Sequence, residues 1–312
     1  MSAPTRLLAW DGLSLTAPAA WEPGRLGKGY MQLEDASGPR LELRWQRVPQ
    51  GFAPEKALKR LARKKQLGKE STSGPAVRSV LEGLPVEAKA LACAPPGHGG
   101  NKGGTGGKGD EAGEGVLFVL PGAGMAVLAA LYPRRTDADA PDAPDWSRIV
   151  LSLSDREPGL LSLYDIRALA PPGFRLANFS ITLGHYHVQY RSGGDSLDYS
   201  RFAPAEVILR SKALTTWASE VFAPTMGSKT AWIPGDLDGM EAAVCGGYRP
   251  PGLAGTRLAV FSRLYTPAKW RPAMAWKPDT SKILAVSASH SGGLEPQTFE
   301  EICRNYVVVQ TP

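Results

Sequence analysis

The sequence predicts an α+β protein made of two tandem, diverged copies of one domain, each an antiparallel sheet flanked by helices. A chain of 312 residues is long enough for about two domains. Its 35 glycines and 27 prolines favour many turns, and strands over long helices. The same succession of short motifs occurs twice, at offsets of 150 to 156 residues. We therefore place the copies at residues 1–157 and 158–312.

The first repeated element is a short strand that ends in a proline. LSLTAPAAW (13–21) and RALAPPGF (167–174) both alternate apolar residues before the proline, which is typical of a half-buried strand. An aromatic residue, Trp21 or Phe174, follows the proline by three positions.

A hairpin and a helix come next in each copy. Turn residues at 35–39 and 192–195 separate two alternating segments, which predicts a hairpin. The motifs FAPEKALKRLARKK, beginning at Phe52, and FAPAEVILRSKALTTWA, beginning at Phe202, each predict one helix. Pro54 and Pro204 suit the first helical turn, where a missing N–H costs nothing.

The remaining elements of each copy are a turn leading into a strand, a buried strand and a closing helix-like segment. The glycine-interrupted apolar run 115–133 is expected to form two buried strands joined by a turn. The matched pairs begin at Leu81 and Leu237, at Val127 and Ile283, and at Trp146 and Phe299. Asp145 is a natural N-cap for the segment that starts at Trp146.

This order of elements, with LSLTAPAAW and RALAPPGF as opening strands, is similar to the PsbP/Mog1-like family. The resemblance implies an α/β/α sandwich around an antiparallel sheet. Relatives in that family are mostly non-enzymatic: photosystem accessory proteins, a nuclear-transport factor that binds a small GTPase, and bacterial chaperones of secreted effectors. The resemblance therefore implies a protein-binding scaffold, and it assigns no site residues to this sequence.

Composition and charge exclude several classes of protein. No stretch reaches the ~20 apolar residues of a membrane span, and the N-terminus lacks a signal-peptide apolar region, so we expect a cytoplasmic protein. Three widely spaced cysteines without a CxxC motif argue against a disulfide framework or zinc finger and predict reduced, buried thiols. A net charge of +6 permits binding to nucleic acid or anionic lipid without requiring it.

Two proline- or glycine-rich segments are predicted to be loops. The stretch 94–115 resembles a phosphate loop only superficially. Gly107-Lys108 is followed by glycine instead of serine or threonine, and the position five residues before Gly107, where the motif requires glycine, is Lys102. We interpret it as a long loop between strands. KWRPAMAWKPD (269–279) is loop-like as well, and we expect at least one of its two tryptophans to be buried.

His185 and His187 are the candidate metal ligands. On a strand, side chains two positions apart share a face, so both imidazoles could reach one ion. A site needs a third ligand, and the sequence offers no clear one. Simple polar exposure is the alternative explanation, so no metal or cofactor is assigned.

The predicted helix at 55–69 carries a strongly basic face. Two interpretations of this face are open. It is either a solvated helix face or an anion-binding surface for nucleic acid, lipid headgroups or an acidic partner. The candidate anion-binding residues are Lys56, Lys59, Arg60, Arg63, Lys64 and Lys65.

No ordered catalytic motif occurs, and no catalytic residue is assigned. The sequence thus favours a non-catalytic adaptor or chaperone-like protein with an unidentified protein partner. A nucleic-acid or anionic-surface binder acting through residues 55–69 is the alternative, and a metal-dependent enzyme using His185 and His187 is a third hypothesis.

Overall fold

The computed structural model describes eleven segments of the chain, which group into two compact units. The first unit comprises Met1–Pro158 with Ser162–Asp165, and the second comprises Gly159–Leu161 with Ile166–Val309. Antiparallel strands dominate both units and helices are few, so the protein is a sheet-rich mixed α/β structure. The described residues are 4–49, 75–83, 88–93, 113–120, 124–133, 144–227, 230–249, 252–253, 265–266, 269–291 and 294–309.

The first unit contains a hairpin and a six-stranded antiparallel sheet. The hairpin pairs β1 with β2, and the sheet has the order β3-β4-β5-β8-β7-β6. Strand β8 is central and almost wholly buried, as its uninterrupted apolar sequence dictates. The strands are β1 (Thr5–Trp10), β2 (Leu13–Pro18), β3 (Glu22–Gly27), β4 (Tyr30–Asp35), β5 (Gly38–Arg47), β6 (Ala88–Cys93), β7 (Gly113–Leu120) and β8 (Met125–Leu131).

Two described helices, α1 (Pro75–Gly83) and α2 (Trp146–Leu151), belong to the first unit. Asp145 caps α2, because its carboxylate accepts a hydrogen bond from the Arg148 N–H at 3.0 Å. A buried arginine, Arg40, places its guanidinium 5.6 Å from the ring centre of Trp21 and 5.8 Å from that of Trp146. The aromatic faces therefore stabilise a cation that is almost fully removed from water.

The second unit contains a seven-stranded antiparallel sheet with the order β11-β12-β13-β19-β18-β15-β14. Separately, β10 pairs with β20, and β16 pairs with β17. The further strands are β9 (Leu160–Leu163), β10 (Ile166–Leu169), β11 (Arg175–Thr182), β12 (His185–Ser192), β13 (Asp195–Phe202), β14 (Ile233–Leu237), β15 (Met240–Arg249), β16 (Gly252–Leu253), β17 (Tyr265–Thr266), β18 (Lys269–Trp276), β19 (Ile283–Ser289) and β20 (Val307–Val308).

Helices cover both faces of the second sheet. Helices α3 (Ala205–Leu209), α4 (Leu214–Val221) and α5 (Ala223–Met226) pack against one face, where Trp217 meets Phe202 edge-on at 5.0 Å between ring centres. On the other face Tyr199 packs edge-on at 5.1 Å against Tyr306, which follows α6 (Pro296–Arg304). Residues 199 and 202 are three apart on β13 and so point to opposite faces.

Both sheets show the same chain path. In each sheet the first three strands form a meander. The last strand in sequence lies beside the third strand, and the strands between these two in sequence occupy the remaining positions. The second sheet has β14 as an additional edge strand. The first turn of each meander requires glycine. A Cβ would lie 2.4 Å from the Trp45 carbonyl oxygen at Gly29 and 2.7 Å from the Ala203 carbonyl oxygen at Gly184, and both glycines have positive φ.

Several sequence predictions are confirmed, and four local ones are wrong. The hairpin turns, the buried strand pair ending at Leu131 and the Asp145 cap are as predicted. The turn expected from Leu81 is instead the end of helix α1. The single helix expected from Phe202 is instead the end of β13 followed by two helices, because Arg210 and Ser211 adopt positive φ and break it. Residues 269–276 form strand β18 rather than a loop, and β7 begins at Gly113, inside the stretch predicted as the glycine-rich loop.

The described residues contain no helix with the length and apolar character needed to cross a membrane. Cys245 and Cys303 are buried free thiols, as predicted, and burial raises the pKa of the Cys245 thiol to about 11. Burial also raises the pKa of Cys303. Both therefore behave as small apolar core residues.

Candidate binding surface on the second sheet

A polar surface lies on β11, β12 and β13, on the face that also carries Phe202 and its covering helices. The strand register aligns side chains of this face in transverse rows. We call the three outer rows the open face. From the helices outward, the rows are Thr182, His185 and Phe202; then Ser180, His187 and Ser200; then Asn178, Gln189 and Asp198; then Arg175, Arg191 and Ser196.

Polarity increases along these rows away from the helices. Phe202 belongs to the buried helix-facing cluster, whereas Arg175 and Arg191, three rows away, are exposed. The β11 residues at the margin, Asn178 and Ser180, are exposed too. One sheet face therefore serves as core at one end and as a surface at the other.

Asp198 organises the centre of the open face. Its Oδ1 accepts a hydrogen bond from Gln189 Nε2 at 2.9 Å and lies 3.0 Å from His187 Nε2. The Asp198 side chain is 14% exposed and that of His187 is 28% exposed, so the pair is partly shielded from water. A shared carboxylate oxygen fixes both neighbouring side chains and makes this part of the surface rigid.

His185 lies at the junction between the open face and the core. Its ring stacks on Phe202 with 4.4 Å between centres and 9° between planes. Burial, and secondarily the charge of neighbouring His187, lower the pKa of His185 below its ordinary value of 6.5. His185 is therefore neutral at physiological pH and acts as part of the packing.

The two predicted metal-ligand candidates are on one strand and one face, with 6.4 Å between their ring centres. The structure does not bring a third ligand to them: among the described residues no group of three or more His, Cys, Asp or Glu side chains could hold an ion. His187 pairs with Asp198 and His185 stacks on Phe202 instead. A histidine–aspartate pair can orient a general base, but within the described chain no hydroxyl or thiol hydrogen-bonds to His187.

The predicted anion-binding residues Lys56, Lys59, Arg60, Arg63, Lys64 and Lys65 lie outside the described residues. The same holds for the glycine-rich stretch 94–115 up to residue 112. The structure therefore places neither of these segments.

The first sheet carries a comparable polar pair. Gln32 of β4 is opposite Glu42 of β5, as Gln189 is opposite Asp198, and each glutamine is three residues before the end of its strand. Glu42 accepts from the Arg44 guanidinium at 2.8 Å and from the Tyr132 hydroxyl at 3.3 Å. The same position in both sheets thus holds a glutamine beside a carboxylate with further polar contacts.

Strand β11 borders the open face and is an edge of the sheet. Among the described strands it has a neighbour, β12, on one side only. Its eight residues include no proline, whereas β14, which also has one neighbour among the described strands, contains Pro234. A bulge between Leu176 and Asn178 interrupts the pairing of β11 with β12. Leu183, in the turn that ends β11, is fully exposed.

Sequence reasoning found the two histidines but missed Asp198, Gln189 and the two arginines. A signal was available, since the predicted turn at 192–195 fixes the register of the hairpin and places Gln189 opposite Asp198. The alternation in HYHVQYRS also puts its polar residues on one face. Which end of that face lacks a covering helix is not encoded in that pattern.

Comparison with known proteins adds no family to this description. No protein-family model matches the chain, and no curated protein is significantly similar to it.

Proposed function

We propose that the chain is a non-catalytic protein-binding scaffold, of the adaptor or chaperone-like kind, built from two diverged copies of one α+β domain related to the PsbP/Mog1-like sandwich. The common strand order of the two sheets supports duplication. So do the matched glycines, Gly29 and Gly184, and the matched glutamine–carboxylate pairs. A duplicated domain of this kind commonly replaces a symmetric dimer.

The single observation that supports binding is the exposed edge of β11, which has one neighbouring strand among those described, beside a rigid, polar open face. An edge strand presents backbone N–H and C=O groups that an extended segment of another protein can pair with. The exposed Leu183 supplies an apolar contact at the end of that edge. The His187–Asp198 pair stabilises the platform next to it.

The test compares the wild-type chain with two matched variants as affinity baits in native cell lysate, at low and at high salt. Leu183→Asp places a charge beside β11, and Ile233→Asp places one on the opposite edge strand, where Ile233 is 60% exposed. We expect one dominant protein to be retained by the wild type and by Ile233→Asp at both salt concentrations, and to be lost from Leu183→Asp. Apolar and backbone contacts are little screened by salt, so retention should survive it.

Loss of every protein at both salt concentrations in the wild type would overturn the scaffold function. Retention of nucleic acid at low salt only would favour the basic segment 55–69 as the functional surface instead. Equal retention by Leu183→Asp would place the binding surface away from β11.

A further inference from the structure

The outermost row of the open face contains two arginines, which take no part in the contacts around Asp198. Arg175 of β11 is directly opposite Arg191 of β12, and both side chains are exposed. Like charges directly opposite each other on a sheet repel. Within the described residues neither arginine forms an ion pair with an acidic side chain.

The row continues across the sheet with hydrogen-bond donors. Ser196 is opposite Arg191, and Ser289 is opposite Ser196. The Ala273–Ser287 pair and the Trp270–His290 bridge place Arg271 opposite Ser289. Arg271 shares its face with the helix-facing residues Ala273 and Ala275, so the row is Arg175, Arg191, Ser196, Ser289 and Arg271.

Arg271 is fixed in place, unlike the other two arginines. Its Nη1 donates to the carbonyl oxygen of Thr225 in α5 at 2.5 Å, and its buried Nε has no hydrogen-bond partner among the described residues. The nearby carboxylates are already engaged: Asp198 by Gln189 and His187, and Asp195 by the backbone N–H and hydroxyl of Ser291. The row therefore has an excess of positive charge and of donors.

We propose that the Arg175–Arg191 pair of this row and the β11 edge together bind an extended acidic peptide segment of a partner protein, which adds as a further strand beside β11. The inference rests on the proposed function and names the chemistry of the partner. A strand beside β11 would direct every second side chain toward the open face. A glutamate or aspartate opposite Arg175 would then lie within ion-pair reach of Arg175 and Arg191 and would relieve their repulsion. The other exposed β11 residues of that face are uncharged, so the peptide positions opposite them can carry polar side chains. These residues are Asn178, Ser180 and Thr182.

The experiment titrates the full chain, to millimolar concentration, into a fluorescein-labelled, end-capped octapeptide that alternates glutamate with valine. The same peptide with glutamine for glutamate is the matched ligand control. The variant Arg175→Gln/Arg191→Gln removes the arginine pair, and Arg167→Gln, which changes an exposed strand arginine of the same unit on β10, is the matched protein control. Fluorescence anisotropy measures binding, and amide hydrogen exchange locates it.

We expect the glutamate peptide to bind at least about tenfold more tightly than the glutamine peptide, and to lose that advantage in the double variant but not in Arg167→Gln. The β11 amides that point away from β12 should be protected only when the glutamate peptide is bound. The thermal midpoint of the double variant should equal or exceed that of the wild type, since it removes like-charge repulsion without disturbing a buried contact.

Equal affinity for the two peptides, or an unchanged affinity in the double variant, would overturn the role of the arginines. Binding of inorganic phosphate or a single-stranded oligonucleotide as tightly as the glutamate peptide, without β11 protection, would overturn the peptide as ligand. Protection of β11 that depends on protein concentration alone would assign the edge to a second copy of this chain. If neither peptide binds while the lysate partner is still retained, the acidic-peptide inference falls and the scaffold function stands.

Discussion

The hydroxyl of Tyr199 makes a hydrogen bond inside the sheet that carries the open face. Tyr199 is 1% exposed, and its hydroxyl donates to the Leu169 carbonyl oxygen at 3.0 Å. Burial raises the pKa of Tyr199 well above its usual 10.0, so the group remains a protonated donor throughout the physiological range. The ring packs edge-on against Tyr190 and Tyr306 at 6.0 and 5.1 Å between centres.

Replacing Tyr199 with phenylalanine keeps those ring contacts and removes the hydrogen bond. The carbonyl loses a buried donor, so the free energy of unfolding of the second unit should fall by about 1–2 kcal/mol. Tyr199→Ala also removes the ring and should cost about 3–5 kcal/mol. Tyr30→Phe in the first unit is the control, because the Tyr30 hydroxyl makes no hydrogen bond with a described residue.

Amide hydrogen exchange of peptides from β12 and β13 is the assay, since the two units need not unfold in one transition. A loss of one or two kcal/mol corresponds to roughly 5- to 30-fold faster exchange by global opening of the unit. A change below about twofold in Tyr199→Phe would refute the hydrogen bond as a source of stability. A loss as large as that of Tyr199→Ala would show that packing, not the hydroxyl, had been disturbed.

Two further predictions concern a buried cation and a buried imidazole. Arg40→Ala should lower the stability of the first unit by about 2–4 kcal/mol in urea unfolding, because it removes a cation that lies over the rings of both Trp21 and Trp146 and leaves a void. A variant as stable as the wild type would contradict this account. The folded-state pKa of His185 is below 6.5, so the unfolded state binds the proton first as pH falls. The stability of the second unit should therefore be full above about pH 6.5 and decrease as pH falls through the lower folded-state pKa, less steeply in His185→Phe; identical pH profiles would argue against this role.

The sequence was enough to predict the elements that are determined by interactions between residues close to one another in the chain. The turn at 192–195 and the cap at Asp145 follow from side chains that act within three or four residues of themselves. The buried strands β8 and β19 follow from the apolar runs at 125–131 and 283–286, which are buried in the structure. Their repetition in one order also predicted two copies of one domain, and this duplication stays a prediction.

Only the tertiary structure decided where the helix after Phe202 breaks and where β18 lies. Phe202 remains in the sheet because it pairs with both His185 and Ile283, and long-range pairing outweighs the local helical pattern. The proline at 272 argued for a loop, yet β18 pairs on both sides. Its continuous ladder with β19 covers Ala273–Trp276, and an isolated bridge at Trp270 lies beyond Pro272.

The surface proposed for binding depends on the same distinction. The sequence by itself determined that polar residues alternate along β12 and that His185 and His187 share a face. It could not determine that helices α3–α5 cover Phe202 and leave the Arg175–Arg191 end of that face open, because coverage depends on where segments distant in sequence pack. Alternation is a property of the strand, whereas exposure is a property of everything packed against it.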